Sequence, residues 1–268
     1  MSGPLAQPLP WNLVARAYAE NTRPTFEPYA RRAIELASIR PPADVLDVAT
    51  GPGTLSVLAA RDGHRVTATD FSTEMLDTLR ARLVDEPLPL VVAQADGMNL
   101  PYADASFDAA FSMFGLMFFP DRQRGFEELR RVLRPAGRAV VSSWVPMSQV
   151  PIMVSIFTAQ AALLNQPPSP PIAPVMASEE DCVREMTDGG FVDVTCERVR
   201  HAITSPSMRA FWAWFPRACA PMALLRDKLG GDVFDQIEAG ILAKLEAEYG
   251  EGAVTMEMTA LLTCGRRG

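Results

Sequence analysis

The chain has 268 residues, of which 48% are apolar, with 25 basic against 32 acidic side chains and a formal net charge of −7. That length and apolar content exclude global disorder and allow one large α/β domain or a domain with a cap. No basic run exceeds two residues, which excludes nucleic acid as an expected partner, because binding to its backbone relies on clustered Lys and Arg.

The first 40 residues read as an amphipathic helical cover, with Trp11, Leu13, Val14 and Tyr18 in one helix and a second helix around 29–37, closed by Pro41 and Pro42. Strands and helices then alternate: strand 44–49, helix 53–61, strand 65–70, helix 73–84, strands 90–95 and 107–112, helix 121–133 and strand 137–144. Such alternation predicts an α/β, doubly wound parallel sheet over 41–144. After Trp144 the texture changes. Residues 139–178 carry no charged side chain, and the proline-rich stretch 165–171 breaks regular structure. Ser178 reads as a helix N-cap with Asp181 three residues on, and Gly189 and Gly190 end that helix. A strand over 191–203, an aromatic helix over 208–215, an amphipathic helix over 232–249 and a last strand over 253–264 follow. The division is a single domain in which 145–190 and 205–250 form cap helices and two late strands, 191–204 and 251–268, complete the sheet.

The four cysteines, Cys182, Cys196, Cys219 and Cys264, are spaced for neither a zinc site nor a disulfide framework, so reduced thiols and a cytoplasmic location are expected. The start of the chain lacks the basic-then-apolar pattern of a secretory signal. The best candidate for a membrane span, 152–164, is too short and carries Ser155, Thr158 and Gln160.

The chemistry concentrates in 45–70. A short apolar run from Val45 to Ala49 meets the turn Thr50-Gly51-Pro52-Gly53, a helix follows, and a second strand stops on Asp70. A dinucleotide fold calls for G-x-G-x-x-G at such a turn, and here Ser56 stands at the third glycine. Asp70, at the end of the second strand, is placed to accept hydrogen bonds from two ribose hydroxyls. Pro52 removes one N–H donor, which suits a ligand without phosphates. An adenosine-type ligand is favoured and a pyrophosphate is not.

Four stretches in order, VLDVATGPGT, TATDFSTEML, AQADGMNLPYADASFDAAFSMFGLMFF and FEELRRVLRPAGRAVVSSW, resemble the successive motifs of class I S-adenosylmethionine-dependent methyltransferases, and within them the type 11 group that includes the ubiquinone and menaquinone biosynthesis methylases. The resemblance covers 44–144 and implies a Rossmann-like sheet of seven strands with the last antiparallel. It implies S-adenosyl-L-methionine as cofactor, with Asp47, Ala49, Thr50, Gly51 and Gly53 under its methionine part. Asp70 would hold the ribose with Phe71 beside the adenine, and Met75 would be a further cofactor-binding residue. Asp96, Gly97 and Met98 would line the adenine pocket, while Ser112 and Met113 would offer backbone carbonyls to the ammonium. Tyr18 would reach the pocket from the cover. Two departures stand out: Ala49 replaces a usual glycine, and Ala136 replaces the first glycine of a Pro-Gly-Gly turn. Both are mild if neither backbone needs a positive φ.

Displacement at a sulfonium needs alignment and exclusion of water, and no metal site is expected. Of two histidines, His64 precedes the second strand at the wrong end for ligands. His201, near the end of a late strand, is the candidate general base, its alternative being an ordinary hydrogen-bonded or solvent-facing histidine. Phe114, Phe118 and Phe119 are expected in the core rather than against a substrate. The uncharged stretch, with Trp144, Met147, Ile152, Met153 and Phe157, is expected either to roof the site for a small lipophilic or aromatic acceptor, quinone-like or from secondary metabolism, or to be an ordinary buried helix pair or the contact of a homodimer. The competing functions are a nucleotide-dependent oxidoreductase and a non-catalytic cofactor-binding protein on the same fold.

Overall fold

A computed structural model describes residues 3–167 and 175–268. Part of the proline-rich stretch, 168–174, lies outside the described residues. Two helices, α1 (Pro8–Asn21) and α2 (Arg23–Ala37), lead into β1 (Asp44–Val48), α3 (Thr54–Arg61), β2 (Arg65–Asp70), α4 (Thr73–Asp85), β3 (Leu90–Gln94), β4 (Phe107–Met113), α5 (Arg122–Val132) and β5 (Leu133–Trp144). Then come α6 (Pro151–Leu163), α7 (Glu179–Asp188), β6 (Phe191–Ser205), α8 (Met208–Trp212), α9 (Phe215–Ala218), α10 (Ala220–Leu229), α11 (Gly231–Tyr249) and β7 (Val254–Arg267).

The strands form one sheet in the order β3-β2-β1-β4-β5-β7-β6. The first five are mutually parallel, and β7 runs antiparallel between β5 and β6. The expected seven strands and antiparallel last strand are therefore present. Because the chain moves outward from β1 to β3 and then returns to β4, the strand order reverses between β1 and β4. The crevice at their C-terminal ends is where open sheets of this kind bind ligands.

The central strands carry the apolar runs that burial on both faces demands: Val45, Leu46, Ala109, Ala110, Phe111, Val140 and Val141 are all fully buried. Tyr29 of α2 is buried and donates from its hydroxyl to the Met258 carbonyl at 2.8 Å, which fixes the cover to β7. The aromatic helix expected over 208–215 is two short helices, and α10 was not foreseen. Pro216 and Pro221 lack the N–H that would continue a preceding helix and instead sit in the first turns of α9 and α10.

Ser178 caps α7 as expected, accepting from the Asp181 amide at 3.1 Å. Both alanine departures prove to need a positive φ: Ala49 has φ 57° and Ala136 φ 65°. The condition for a mild change fails at both, and each Cβ pays the penalty of the left-handed region, about 1 kcal/mol. Cys182, Cys196, Cys219 and Cys264 are all free thiols. No helix among the described residues is long and apolar enough to cross a membrane.

Candidate functional site

The turn after β1 is built from three left-handed residues, Ala49, Gly51 and Gly53, the last two with φ 55° and 77°. This winding turns backbone toward the crevice. Gly53 also lies so close to Leu79 that an added Cβ would overlap it. Beneath the turn, Asp47 is buried. Its Oδ2 accepts from the hydroxyls of Thr50 and Ser56, each at 2.7 Å. Ser56, the residue that spoils the dinucleotide pattern, thus holds the acid in place. Oδ1 of Asp47 is buried with no protein partner. Burial pushes the Asp47 carboxyl up to about 6, against the two hydroxyls that favour its charge.

Asp70 closes β2 with its two oxygens divided between two donors. The Gly51 amide donates to Oδ2 at 2.8 Å and the Ser72 amide to Oδ1 at 2.9 Å. Each oxygen keeps a lone pair for a further donor. Burial raises this carboxyl too, to about 6, opposed by the backbone amides of Ser72, Gly51 and Phe71.

Around these groups opens a cavity of about 550 Å³. Ala49, Gly51, Asp70, Phe71, Met75, Asp96, Gly97, Met98 and Met113 line it, and Tyr18 reaches it from α1. Asp47, Thr50, Gly53 and Ser112 do not line it. The first three buttress the turn, and the Ser112 hydroxyl accepts from the Leu116 amide at 3.1 Å. Gly97 and Gly115 must be glycine for space: a Cβ on Gly97 would overlap Phe119, and one on Gly115 would overlap Ala49. The expectation of a core place holds for Phe114, which is buried in the core and also reaches the cavity wall, and is corrected for Phe118 and Phe119, which are half-buried against that wall. They sit there because the 3₁₀ turn 116–118 follows β4 directly at the crevice.

His201 lines neither this cavity nor the one described below. It sits on the outer strand β6, edge-on to Tyr29 with ring centroids 6.3 Å apart. His64 is buried before β2, at the opposite end of the strands.

The sequence reading missed the clamp beneath the loop that follows β3. Glu128 of α5 is 1% exposed; its carboxylate accepts from the Leu100 amide and from Arg131, each at 2.8 Å. Arg131 in turn donates to the carbonyls of Leu100 and Tyr102. The Glu128 carboxyl is held below its ordinary range, first by Arg131. Also missed was the segment Leu5 to Pro8, which with Trp11 forms the outer wall and carries no motif that would signal this.

A second cavity, of about 400 Å³, adjoins the first, and Tyr18 and Phe118 line both. Its wall is apolar. Trp144, Met147, Met153 and Phe157 of the uncharged stretch meet Phe26 of α2 and Phe211, Trp214 and Phe215 from the α8–α9 region. Ile152, expected beside them, is packed in the core instead.

A class I methyltransferase core is what this sheet order and glycine turn define. Residues 46–141 match the family described as methyltransferase domain, and the chain is similar to it over this segment. An uncharacterized protein of Mycobacterium tuberculosis is 39% identical over 127 residues, 47% of this chain and 46% of that protein. The demethylmenaquinone methyltransferase of Thermus thermophilus is 37% identical over 120 residues, 44% of this chain and 54% of its own length. The chain therefore spans about half the length of the curated relatives it matches. Among solved structures, phosphoethanolamine N-methyltransferase 2 of Haemonchus contortus, in complex with S-adenosyl-L-methionine, superimposes with a TM-score of 0.54 at 16% identity, over 90% of this chain and 52% of that one. At that identity the likeness concerns the fold.

Proposed function

We propose that the chain transfers a methyl group from S-adenosyl-L-methionine to a small lipophilic or aromatic acceptor. The observation that carries this reading is the pair of adjoining cavities, one carrying the carboxylates Asp70 and Asp96 beside the glycine turn and one without a charged lining group among the described residues, with Tyr18 and Phe118 lining both. The charged side chains lining the first cavity are the carboxylates Asp70 and Asp96. Such a wall repels a pyrophosphate and suits a ligand that carries an ammonium and a sulfonium, which weighs against a nicotinamide dinucleotide. Asp70 has lone pairs free for two ribose hydroxyls, and Asp47 Oδ1 is an unpartnered acceptor beside the turn where the methionine part would lie.

In this reading the cofactor supplies an activated methyl group, and the protein aligns, binds and excludes water. Asp70 orients the ribose. Asp96, whose Oδ1 accepts from the Met98 amide at 2.9 Å, faces the adenine amino group. The walls of the second cavity keep water from the reacting atoms. Acceptor preference is read from that wall's apolar side chains, and the quinone-methylating relative is in keeping with it. Calorimetric titration with S-adenosylmethionine, S-adenosylhomocysteine and NAD, followed by transfer of a labelled methyl to a panel of lipophilic phenols, quinols and amines, tests the reading. Binding of NAD in preference to S-adenosylmethionine overturns it.

A further inference from the structure

The charge on the acceptor follows from what lines the second cavity, given the methyl-transfer reading above. Its titratable lining groups are Tyr18 and Cys219. Burial pushes the Tyr18 phenol far above its ordinary value and the Cys219 thiol up to about 12. Both therefore keep their protons near neutrality. No Asp, Glu, His, Lys or Arg lines the cavity among the described residues, and 168–174 contain only Pro, Ser, Ile and Ala. Of the charged groups on the surrounding helices, Arg16 pairs with Glu20, Arg209 with Glu246, and Glu248 accepts from Ser155, while Arg217 donates to the Ala213 carbonyl and, like Arg23, lines neither cavity. Among the described residues, Tyr18 and Phe118 line both cavities, and Tyr18 is the one of the two that bears a hydroxyl.

A hydroxyl acceptor must lose a proton to become a good nucleophile, and no side chain here is suited to take it. An anion alone in such a wall would be expensive to bury. A cation at the mouth of the cavity removes that cost, because attraction between unit charges strengthens as water is excluded. We propose that the acceptor enters as a preformed lipophilic oxyanion, a phenolate or enolate, paired with the sulfonium of the methyl donor rather than with any side chain, and that it therefore binds second.

The proton is released to solvent before entry. In the transfer, a lone pair of the oxyanion forms the bond to the methyl carbon while the carbon–sulfur bond breaks and its electron pair stays on sulfur. The two opposite charges disappear together, leaving a neutral ether and a neutral thioether. Tyr18, protonated and at the seam, is positioned to donate to the oxyanion. Once the charges are gone the attraction is lost, which favours release of the product.

The test uses the full chain near neutral pH and binding alone. Calorimetry first establishes the affinities of S-adenosylhomocysteine, which is neutral at sulfur, and of sinefungin, which carries an ammonium in place of the methyl sulfonium. If neither binds, the methyl-transfer reading itself fails. With both bound, each saturated complex is titrated with 2,4-dinitrophenol, which is ionised under these conditions, and with its neutral counterpart 2,4-dinitroaniline. The phenolate should bind about tenfold or more tightly to the sinefungin complex than to the S-adenosylhomocysteine complex, and the aniline about equally to both. A preference of the phenolate for the sinefungin complex below about fivefold, the same preference shown by the aniline, or no binding of the phenolate overturns the proposal while leaving methyl transfer standing.

Discussion

Acidification should weaken cofactor binding well before it unfolds the protein. Asp47 and Asp70 are both buried, and burial is the first cause that raises each carboxyl to about 6. Their ordinary value is near 4, so the folded state takes up protons that the unfolded chain has already lost. The stability each contributes is fully present below about pH 4 and is lost as the pH rises through about 6. At neutrality each ionised carboxylate opposes folding by up to about 3 kcal/mol, taking about 1.4 kcal/mol for every tenfold change in the protonation constant. A ligand that brings two ribose hydroxyls to the oxygens of Asp70 offsets that burden directly, and its ammonium over the turn above Asp47 does so through the turn, in each case only for the ionised form.

Affinity for S-adenosylhomocysteine should thus be level near pH 7.5 and fall as the pH drops through about 6, approaching tenfold per pH unit for each carboxylate that titrates. The measurement is calorimetry between about pH 5 and 7.5 in pairs of buffers with different ionisation enthalpies, which counts protons released on binding. Release should rise from near zero at the upper end to about one or two at the lower. Asp70→Asn removes one titration and also sets an amide NH₂ against one of the amides of Gly51 and Ser72. It should lose about tenfold in affinity or more, with the residual pH dependence belonging to Asp47. A folded wild-type protein whose affinity stays constant over this range, with no proton exchange, would refute the burial argument.

Ala136→Gly relieves a left-handed alanine away from the cavities and should raise stability by about 1 kcal/mol, read as a higher Tm. Glu128→Ala leaves the Leu100 amide without its acceptor and takes from Arg131 one of its two carboxylate partners, Asp104 remaining; a loss of about 1 to 3 kcal/mol is expected in chemical denaturation, and wild-type stability would show that the clamp is not needed. Because the Glu128 carboxyl lies below its ordinary range, this contribution should fade as the pH falls through its folded value. Met153→Asp should depress acceptor turnover at least about tenfold while leaving S-adenosylhomocysteine affinity unchanged, and unaltered kinetics would remove that wall from the acceptor site. Turnover should survive EDTA; recovery of lost activity by added Mg²⁺ or Zn²⁺ would contradict this.

The parallel half of the fold was legible because its physics is local. Strands buried on both faces must be apolar throughout, and the turn that brings backbone to a ligand must use residues tolerant of positive φ. Val45 to Gly53 follows both rules in seven of nine residues, the exceptions being the buried Asp47 in the strand and Ala49, which takes a positive φ without being glycine. Asp70, Asp96 and Met113 were legible for a related reason, since each ends a strand or opens the loop after one on the ligand side of the sheet. His201 misled because a strand in the sequence does not say where it lies in the sheet. Placed on the outer strand β6, beyond β7, it is far along the sheet from the reversal between β1 and β4.

The acceptor wall was the least legible part, for the same reason in reverse. Residues that line it come from α1, α2, β5, α6, β6, the α8–α10 region and β7, so no short window of sequence contains its pattern. Within each window those side chains obey the ordinary apolar periodicity of a core. What separates cavity from core is that Trp144, Met153 and Phe211 converge without filling the space between them, and Phe114 stacks on Trp144 with centroids 4.1 Å apart at one edge only. The expectation that Phe118 belonged to the core failed at this point. A ring after a strand is normally covered by the next helix, but here α5 covers Leu116 and Phe119, and Phe118 lies half-buried against Trp11, ring centroids 5.2 Å apart. Cofactor chemistry is therefore written in motifs, whereas acceptor chemistry is written in the gaps between elements. Changing one wall residue should alter which acceptor is methylated while the motif residues continue to bind the same donor.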